Sequence, residues 1–443
     1  MSDTIAALAS GRIPAGVAVI RISGPKAFSV VDKLTDSSCR SQGHATARLI
    51  TIHSCPIHRL LDTALRLVFE APRSFTGEDV VELHVHGGLV VIDEVLEQLY
   101  AAGARPANRG EFSERAFLNG KIDLTQAEAI ADIIAAPTRS ARELATLQLG
   151  GVLTKRINTV EQLIQSARVL VEASIDFPED VGDVDVFALT PIILDALNGL
   201  HALQQTARRG RLVRQGAVIV LLGAPNVGKS SLLNALVGKE RAIVSPIAGT
   251  TRDTIDVQID LSGIPVTLTD TAGLRDASDE IERIGIDRTR SSANAADIIL
   301  ALESVGTPHV ELPPVHDSTP IIHVRTKADL SDIPPDTGET YYVSAVTGYG
   351  IEALVEGIRQ TLVDDALSSS VTDTIAINAR HAALITNAID ALQRVTLDAS
   401  SNVPADLLAV ELNDAAFHLA SISGRDVIEA MHQEIFSRFC IGK

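Results

Sequence analysis

Polar and apolar residues alternate in short runs over the first part of the chain. The runs at 16–22, 64–69 and 79–86 are typical of strands with one buried face, and apolar residues from 90 to 102 recur at helical spacing. These strands, the helix and the turns between them predict a mixed α/β module over residues 1–119.

Helical spacing dominates after this module. Apolar residues recur every three or four positions, with much Ala, Leu and Glu, over residues 123–136, 138–150, 153–175 and 191–208. The same pattern resumes at 376–397 and 405–420, and neither stretch has an obvious core of its own. We therefore expect one discontinuous helical domain, formed by residues 120–212 and 372–443.

Residues 213–371 show a third pattern, in which apolar runs alternate with helical segments. The run 217–222 precedes a turn and the apolar segment 231–237, and a later run at 266–269 ends in a polar motif. Strands that alternate with helices predict a mostly parallel sheet, whose ligands bind at the carboxyl ends of the strands. The expected fold class is α/β plus all-α, with an N-terminal mixed α/β module, a discontinuous helical domain and an inserted domain.

The composition permits several cores and limits the possible partners. The chain has 443 residues, of which 46% are hydrophobic and 3% aromatic, so Leu, Ile, Val and Ala must form most of the cores. The net charge of −18 disfavours broad attraction to nucleic acid, so an RNA contact would have to be local or made by a partner. Three cysteines without metal-type spacing, and no apolar run of about 18 residues, predict a soluble cytoplasmic protein without a membrane partner.

The strongest single motif is a phosphate-binding loop. Residues 223–230 read GAPNVGKS, which matches G-x-x-x-x-G-K-[ST] and lies between an apolar run and a helical segment. Gly223 and Gly228 permit the tight backbone. Lys229 is expected to reach the β- and γ-phosphates, and the Ser230 hydroxyl to ligate Mg²⁺. A glycine-rich turn that fits by chance is the alternative, but further nucleotide motifs follow in the right order.

Those further motifs read GTTRD at 249–253, DTAGLR at 270–275, TKAD at 326–329 and SA at 344–345. Thr251 is expected to ligate Mg²⁺ from a mobile switch loop, and Asp270 to hold the metal's coordination shell. The Gly273 N–H is expected to sense the γ-phosphate. The inserted domain is therefore expected to be a P-loop GTPase domain.

The base-binding motif favours GTP over ATP. Asp329 would accept both N–H donors of guanine, a pair that adenine lacks, and Ser344 and Ala345 would support the base. The same motif argues against a P-loop kinase, which would also need a phosphate-acceptor site. Thr326 stands where Asn is usual, and the absence of the amide is expected to weaken binding without abolishing guanine preference.

The catalytic group cannot be the usual glutamine. The residue after the DTAG motif is Leu274, at a position where many GTPases have a Gln that orients water. Because leucine cannot hydrogen-bond water, the catalytic group lies elsewhere, and Glu280 and Glu282 are the nearest acids. From the residues alone, solvated loop acids without a catalytic role are the favoured alternative.

Taken together, the motifs resemble the MnmE (TrmE) family of tRNA-modification GTPases over nearly the whole chain. The nucleotide motifs alone would fit several families. The more specific motifs are FCIGK at 439–443, RISG at 21–24, SFTGED at 74–79, GEFSERAFLN at 110–119 and QAEAI at 126–130. The resemblance implies a GTP hydrolase in a complex that adds a carboxymethylaminomethyl group at C5 of the tRNA wobble uridine. A GTP-dependent regulatory switch that binds the ribosome or another partner is the alternative function.

The resemblance also assigns nucleotide and ion contacts. It implies that Glu282 positions or activates the attacking water, and that K⁺ takes the place of an arginine finger when two GTPase domains face each other. The implied K⁺ ligands are Asn226, Ser245, Ile247 and Thr250. The implied GTP-binding residues are Asn226, Val227, Gly228, Lys229, Ser230, Ser231, Ser245, Pro246, Ile247, Ala248, Gly249, Thr250, Thr251, Asp270, Thr271, Ala272, Gly273, Thr326, Lys327, Ala328, Asp329, Ser344, Ala345 and Val346.

For the N-terminal module, the resemblance implies dimerisation and binding of a one-carbon tetrahydrofolate. The residues that carry over are Arg21, Glu82, Lys121 and Lys443, whose charges suit the folate carboxylates and the amino edge of the pterin. Cys440 is a candidate for a catalytic role near the folate, and a buried thiol is an equal alternative. The implied partners are a second copy of the chain, tRNA and a flavin-dependent protein of the MnmG (GidA) type.

Three weaker signals leave alternatives open. His84 and His86 face one side of a strand, as metal ligands would, but a solvated or hydrogen-bonded pair is favoured because no third ligand is evident. Residues 176–185 are read as a solvated connection, since their acids do not fit a calcium loop. The densest basic cluster is read as a solvated helix end in preference to an RNA contact, and it contains Arg208, Arg209, Arg211 and Arg214.

Overall fold

Two compact units make up the computed structural model. One consists of Met1–Ala131 with Ala420–Lys443, and the other of Asp132–Leu419. The structure describes residues 3–12, 14–242, 255–270, 296–307, 319–330, 340–364, 375–401, 403–426, 435–437 and 439–442.

The first unit is built on a six-stranded sheet. Its strands are β1 (Ile5–Leu8), β2 (Ala15–Ser23), β3 (Thr46–His53), β4 (Leu60–Phe69), β5 (Val80–Gly87) and β6 (Arg105–Pro106). Their order is β3-β4-β5-β2-β1-β6, antiparallel except between β1 and β6. The helices are α1 (Ala27–Asp32), α2 (Leu89–Ala101), α3 (Glu111–Leu118) and α4 (Leu124–Ala135), of which α4 continues into the second unit. The predicted mixed α/β module is confirmed.

Alternation along the central strands decides which face of this sheet is buried. Ile20 of β2 and Leu83 of β5 are fully buried, in one cluster with apolar residues of α1 and α2. Arg21, Glu82 and His84 alternate with them along the strands and therefore face the opposite side. The sheet thus carries its core on one face and polar chemistry on the other.

A buried ionic cluster holds the loop before β5 against α3. Arg115 lies 3.0 Å from Glu78 and 2.8 Å from Glu111, and Arg105 also pairs with Glu111. Burial alone would raise the pKa of Glu111, but hydrogen bonds, led by that from Arg105, outweigh it, so this pKa lies below its usual range. Glu78 also accepts a hydrogen bond from the Ser23 hydroxyl at 2.8 Å, which fixes the loop beside β2.

The end of the chain packs with the N-terminal residues. Phe436 and Phe439 lie in one buried cluster with Leu124 of α4. The Gly110 N–H donates to the backbone oxygen of Cys440 at 3.3 Å, just before α3. Burial of two aromatic rings is worth several kcal/mol, on the order of 3 kcal/mol each, so this segment is anchored within the first unit.

The helices of the second unit follow the predicted spacing. Before its sheet come α5 (Arg139–Leu149), α6 (Val152–Asp176), α7 (Pro178–Val181) and α8 (Val186–Gln215); α9 (Lys229–Lys239) and α10 (Ile351–Asp364) belong to the sheet region, and α11 (Ala379–Ser400) and α12 (Ala405–Ser423) follow it. Helices α6 and α11 both pack on α8. Helices from before and after the sheet therefore form one layer, as expected for a discontinuous helical domain.

Helix α8 begins earlier than its apolar spacing predicted. The prediction started at residue 191, whereas the helix starts at Val186, because the Asp185 carboxylate accepts the N–H groups of Phe187 and Ala188. Pro191 lies inside the helix. The four-residue α7 falls within the predicted connection, and none of its residues is buried, which agrees with a solvated segment.

By length and composition alone, one helix among the described residues, α8, would be able to cross a membrane. Its apolar residues Leu189, Ile193, Leu200 and Leu203 recur on one side and are at most 3% exposed. Helices α6 and α11 pack against α8.

A seven-stranded sheet forms the other part of the second unit. Its strands are β7 (Ala217–Gly223), β8 (Arg241–Ala242), β9 (Ile255–Leu261), β10 (Ile264–Asp270), β11 (Ile298–Ser304), β12 (Ile321–Thr326) and β13 (Thr340–Tyr342). The order is β13-β12-β11-β7-β10-β9-β8, parallel from β13 to β10 and antiparallel beyond. The mostly parallel sheet is therefore confirmed, and β7, β10, β12 and β13 end at the same edge.

The compact units divide the chain differently from the expected domains. Residues 120–131 and the described residues from 420 onward fall in one compact unit with the N-terminal module, although the helical pattern assigned them to the helical domain. Helical spacing identifies a helix but does not identify what the helix packs against. The division into 1–119, 120–212 with 372–443, and 213–371 stays a prediction.

Candidate functional site

The phosphate loop has the geometry that its sequence predicts. It connects the buried strand β7 to α9, and Asn226 (φ 59°) and Gly228 (φ 102°) both lie in the left-handed region. A Cβ at Gly223 would lie 2.4 Å from the Leu302 oxygen, so only glycine allows β7 and β11 to approach here. Helix α9 begins directly after the loop, and its first N–H groups therefore form an anion-binding site.

Lys229 lies within this loop. Its ammonium group donates to the backbone oxygens of Gly223 at 2.8 Å and Ala224 at 3.0 Å, and the residue is 6% exposed. The positive charge is thus fixed beside the anion-binding N–H groups. Ser230, the predicted Mg²⁺ ligand, is exposed in the first turn of α9, and Ser231 follows it. A hydroxyl oxygen at this position suits an ion that prefers oxygen ligands.

The base-binding motifs lie where β12 and β13 end. The Ala328 N–H donates to the Val343 oxygen at 3.1 Å, and the Ser344 hydroxyl donates to the Asp329 carboxylate at 2.6 Å. Ser344 is fully buried and Asp329 is exposed, so a fixed hydroxyl orients an accessible carboxylate. This arrangement suits an acceptor for the two N–H groups of guanine. Ala345 and the 87% exposed Val346 continue the same loop.

Thr326 makes a contact that the sequence did not predict. Its hydroxyl lies within hydrogen-bonding distance of the Val227 oxygen in the phosphate loop and 3.2 Å from the Glu303 oxygen. The residue is 4% exposed. The TKAD motif by itself indicated only that threonine lacks the amide group that usually lies near the base. A hydroxyl residue at the end of a strand, just before the base-binding motif, was the available signal.

Several predicted site residues lie outside the described part of the chain, so their roles stay predictions. Asp270 is the last residue of β10 and pairs with Leu221 of β7. Its backbone therefore lies at the same edge of the sheet as the phosphate loop. The residues outside the described ranges are Ser245, Pro246, Ile247, Ala248, Gly249, Thr250, Thr251, Thr271, Ala272, Gly273, Glu282 and Lys443.

A second polar cluster lies on the face of the N-terminal sheet opposite α1 and α2. Arg21 and Glu82 are cross-strand neighbours, and the guanidinium donates to the carboxylate at 2.9 Å. The guanidinium carbon lies 5.5 Å from the ring centroid of Phe75 and 5.7 Å from that of Phe112. The two charged side chains are 18% and 17% exposed. Two predicted folate residues are thus brought together. Their aromatic neighbours, Phe75 and Phe112, lie in the SFTGED and GEFSERAFLN motifs, but were not predicted to belong to the site.

Lys121 contacts the same region from the segment after α3. Its ammonium group donates to the Pro72 oxygen at 2.9 Å, in the loop between β4 and β5 that also carries Phe75. Lys443 is outside the described residues, but Gly442 (φ 92°) packs on the end of β1. A Cβ at Gly442 would lie 2.0 Å from the Leu8 oxygen, so glycine is required there. Gly442 of the C-terminal motif therefore lies against the end of β1.

Some residues of the weaker signals have partners within the protein. His86 lies 2.6 Å from Asp62, and the described residues contain no group of three or more metal-ligating side chains. Arg211 pairs with Asp297, and Arg214 pairs with Asp132, so two arginines of the basic cluster are engaged within the protein. These pairs favour the helix-end interpretation of the cluster.

Cys440 is exposed, so the buried-thiol interpretation is wrong. The two aromatic rings before it, Phe436 and Phe439, occupy the buried positions of this segment. The catalytic interpretation of Cys440 stays a prediction.

Comparisons with known proteins cover almost the whole chain. A family model described as the GTP-binding protein TrmE N-terminus matches residues 4–121, and one described as the MnmE helical domain matches residues 124–440. The chain belongs to the MnmE family. Full-length MnmE relatives, each named tRNA modification GTPase MnmE, agree with this assignment. The MnmE of Synechococcus sp. (strain JA-3-3Ab) is 38% identical over 456 residues, covering 100% of this chain and 99% of the relative.

Two further MnmE relatives also match the whole chain. The protein from Chelativorans sp. (strain BNC1) is 40% identical over 445 residues, covering 100% of this chain and 98% of its own length. That from Chloroflexus aurantiacus is 40% identical over 458 residues, covering 100% of both chains. The MnmE resemblance inferred from the motifs is therefore confirmed, and it includes the segments that form the two polar sites.

Proposed function

We propose that this MnmE-family GTPase hydrolyses GTP to drive carboxymethylaminomethyl addition at C5 of the wobble uridine in tRNA. The main observation behind the proposal is that the phosphate loop and the Asp329–Ser344 pair lie at the same edge of the sheet. Support for the substrate comes from relatives named tRNA modification GTPases, which match this chain over its full length.

In this proposal the phosphates bind the N–H groups at the start of α9, and Lys229 stabilises charge on the departing γ-phosphate. Ser230 and Thr251 would hold Mg²⁺, which when bound neutralises charge on the β- and γ-phosphate oxygens. Glu282 would orient the attacking water, because Leu274 has no hydrogen-bonding atom. Asp329 would select guanine through the oxygen atoms that Ser344 orients.

GTP turnover is expected to depend on potassium. K⁺ would lie against Asn226, which is exposed in the phosphate loop, and against Ser245, Ile247 and Thr250 when two GTPase domains pair. In other GTPases an equivalent positive charge contributes about 10³–10⁵ in rate. At equal ionic strength, the steady-state rate of phosphate release should therefore be at least ~10-fold higher in KCl than in NaCl. Equal rates would contradict the potassium site and leave GTP hydrolysis itself standing.

The N-terminal sheet is proposed to bind a one-carbon tetrahydrofolate. Its support is the partly buried Arg21–Glu82 pair, in which the Arg21 guanidinium lies near two aromatic rings, and Lys121, which donates to the loop that carries one of them. Glu82 would accept from the amino edge of the pterin, and the cations, including Lys443, would bind the folate carboxylates. The position of Gly442 on the same sheet supports the inclusion of Lys443.

The proposed assembly is a cytoplasmic homodimer that works with tRNA and a flavin-dependent partner of the MnmG type. The net charge of −18 supports a separate tRNA-binding partner, because broad contact with tRNA phosphates would be unfavourable for this chain. The flavin-dependent partner would then supply most of the tRNA contact.

Mass analysis of wobble uridines tests the proposed function. Cells that lack the protein should lose the carboxymethylaminomethyl nucleoside, and wild-type protein should restore it. An unchanged nucleoside profile, together with GTP-dependent co-sedimentation with ribosomes, would instead establish the regulatory switch.

A further inference from the structure

Thr326 lies at the junction between the two halves of the nucleotide site. Its backbone is already held by the sheet, because its oxygen accepts a hydrogen bond from the Val305 N–H at 3.0 Å. The side chain is therefore not needed to pair β12 with β11. Its hydroxyl instead points to backbone oxygens, one of them in the phosphate loop.

Val227, the partner of Thr326 in the phosphate loop, is flanked by two residues with left-handed backbone conformations. Val227 lies between Asn226 (φ 59°) and Gly228 (φ 102°), which are both in the left-handed region. A Cβ placed on Gly228 would have the Thr326 side chain as its nearest neighbour, at 3.8 Å. Thr326 therefore covers this turn and also lies within hydrogen-bonding distance of the Val227 oxygen.

On the other side, Thr326 begins the base-binding loop. Lys327 directly follows it with a φ of 59°, so the chain turns sharply at the end of β12. Two residues later, Asp329 accepts the hydrogen bond from Ser344. The orientation of this carboxylate therefore depends on a turn whose first residue is attached to the phosphate loop.

We propose that the Thr326 hydroxyl is a positioning group that couples the guanine-binding loop to the phosphate loop. In this role it fixes the distance between the groups that contact the base and those that contact the phosphates. A ligand that contacts both loops binds more tightly when their spacing is already fixed, because binding then does not have to order the two loops relative to each other. A ligand that contacts only one loop does not gain from this fixed spacing. The inference rests on the guanine-nucleotide site and adds a residue whose role in that site was not apparent from the motif.

Two substitutions at position 326 separate the hydroxyl from the shape of the side chain. Thr326→Val keeps the branched shape and removes the donor, which leaves the Val227 oxygen without it. Thr326→Ser keeps the donor and removes only a methyl group. The dissociation constants of GDP, guanosine and pyrophosphate would be measured by calorimetry on full-length protein, with circular dichroism to confirm folding of each variant.

We expect Thr326→Val to weaken GDP binding about tenfold, which is the usual effect of losing one buried hydrogen bond. Guanosine and pyrophosphate should each weaken by less than about threefold, because each contacts only one loop. Thr326→Ser should bind GDP as the wild type does.

The proposal is overturned if Thr326→Val binds GDP normally, or if Thr326→Ser loses as much affinity as Thr326→Val. Equal losses of affinity for GDP, guanosine and pyrophosphate would also overturn it. Such losses would show that the Thr326 hydroxyl stabilises each loop by itself and does not couple them. A wild-type protein that does not bind GDP would contradict the nucleotide site itself, which is a different result from any of these.

Discussion

Replacement of Lys229 by alanine is expected to lower kcat/KM for GTP by about 10³-fold. Removal of one preorganised group that faces developing charge typically costs about 10²–10³, and Lys229 carries a full charge. It also holds the Gly223 and Ala224 oxygens, so its loss leaves two carbonyl groups of the phosphate loop without their donor. Phosphate release at low GTP concentration measures the effect.

Lys239 provides the matched control for this substitution. It lies at the other end of α9, where its ammonium group pairs with Glu352 at the surface. Lys239→Ala should leave kcat/KM within about twofold of wild type, because exposed ion pairs contribute little. A Lys229→Ala variant that keeps more than about a tenth of wild-type activity would contradict the role of Lys229 at the phosphates.

Asp329→Asn is expected to change the base preference from guanine to xanthine. Guanine offers N–H donors at N1 and C2, which suit a carboxylate, whereas xanthine carries an oxygen at C2 that suits an amide N–H₂. The variant should bind GDP at least ~100-fold more weakly, because a polar site rejects a ligand that leaves its groups unpaired. It should bind xanthosine diphosphate more tightly than the wild type does, as measured by competition with a fluorescent nucleotide.

An exposed acid of the same unit serves as the control. Asp180 lies in α7, where no residue is buried, and Asp180→Asn should leave the affinities for both nucleotides unchanged. If Asp329→Asn weakened GDP without gaining xanthosine diphosphate, Asp329 would support the loop without reading the base.

The parts of the fold that the sequence predicted are those set by neighbouring residues. Strand β5 and helix α2 follow directly from residue spacing, and the phosphate loop follows from glycines and a lysine at fixed positions. Some local signals at the ends of helices were still missed. The Asp185 cap extends α8 to Val186 because an N-cap carboxylate can satisfy free N–H groups before any apolar residue shows periodicity.

The parts that the sequence could not predict depend on residues distant in the chain. Arg21 meets Phe112 only because the loop before β5 is held against α3 by Glu78 and Arg115. The Thr326 contact with the Val227 oxygen likewise joins residues 99 positions apart. No local pattern encodes these distances, since they follow from how the sheet orders its strands.

Competition between guanine and adenine nucleotides on the wild-type protein tests the central claim most directly. That claim is that the phosphate loop and the Asp329–Ser344 pair form one guanine-specific site. Unlabelled GDP is predicted to displace a fluorescent guanine nucleotide at a concentration at least ~100-fold lower than ADP requires. Displacement by ADP at the same concentration as GDP would contradict the account.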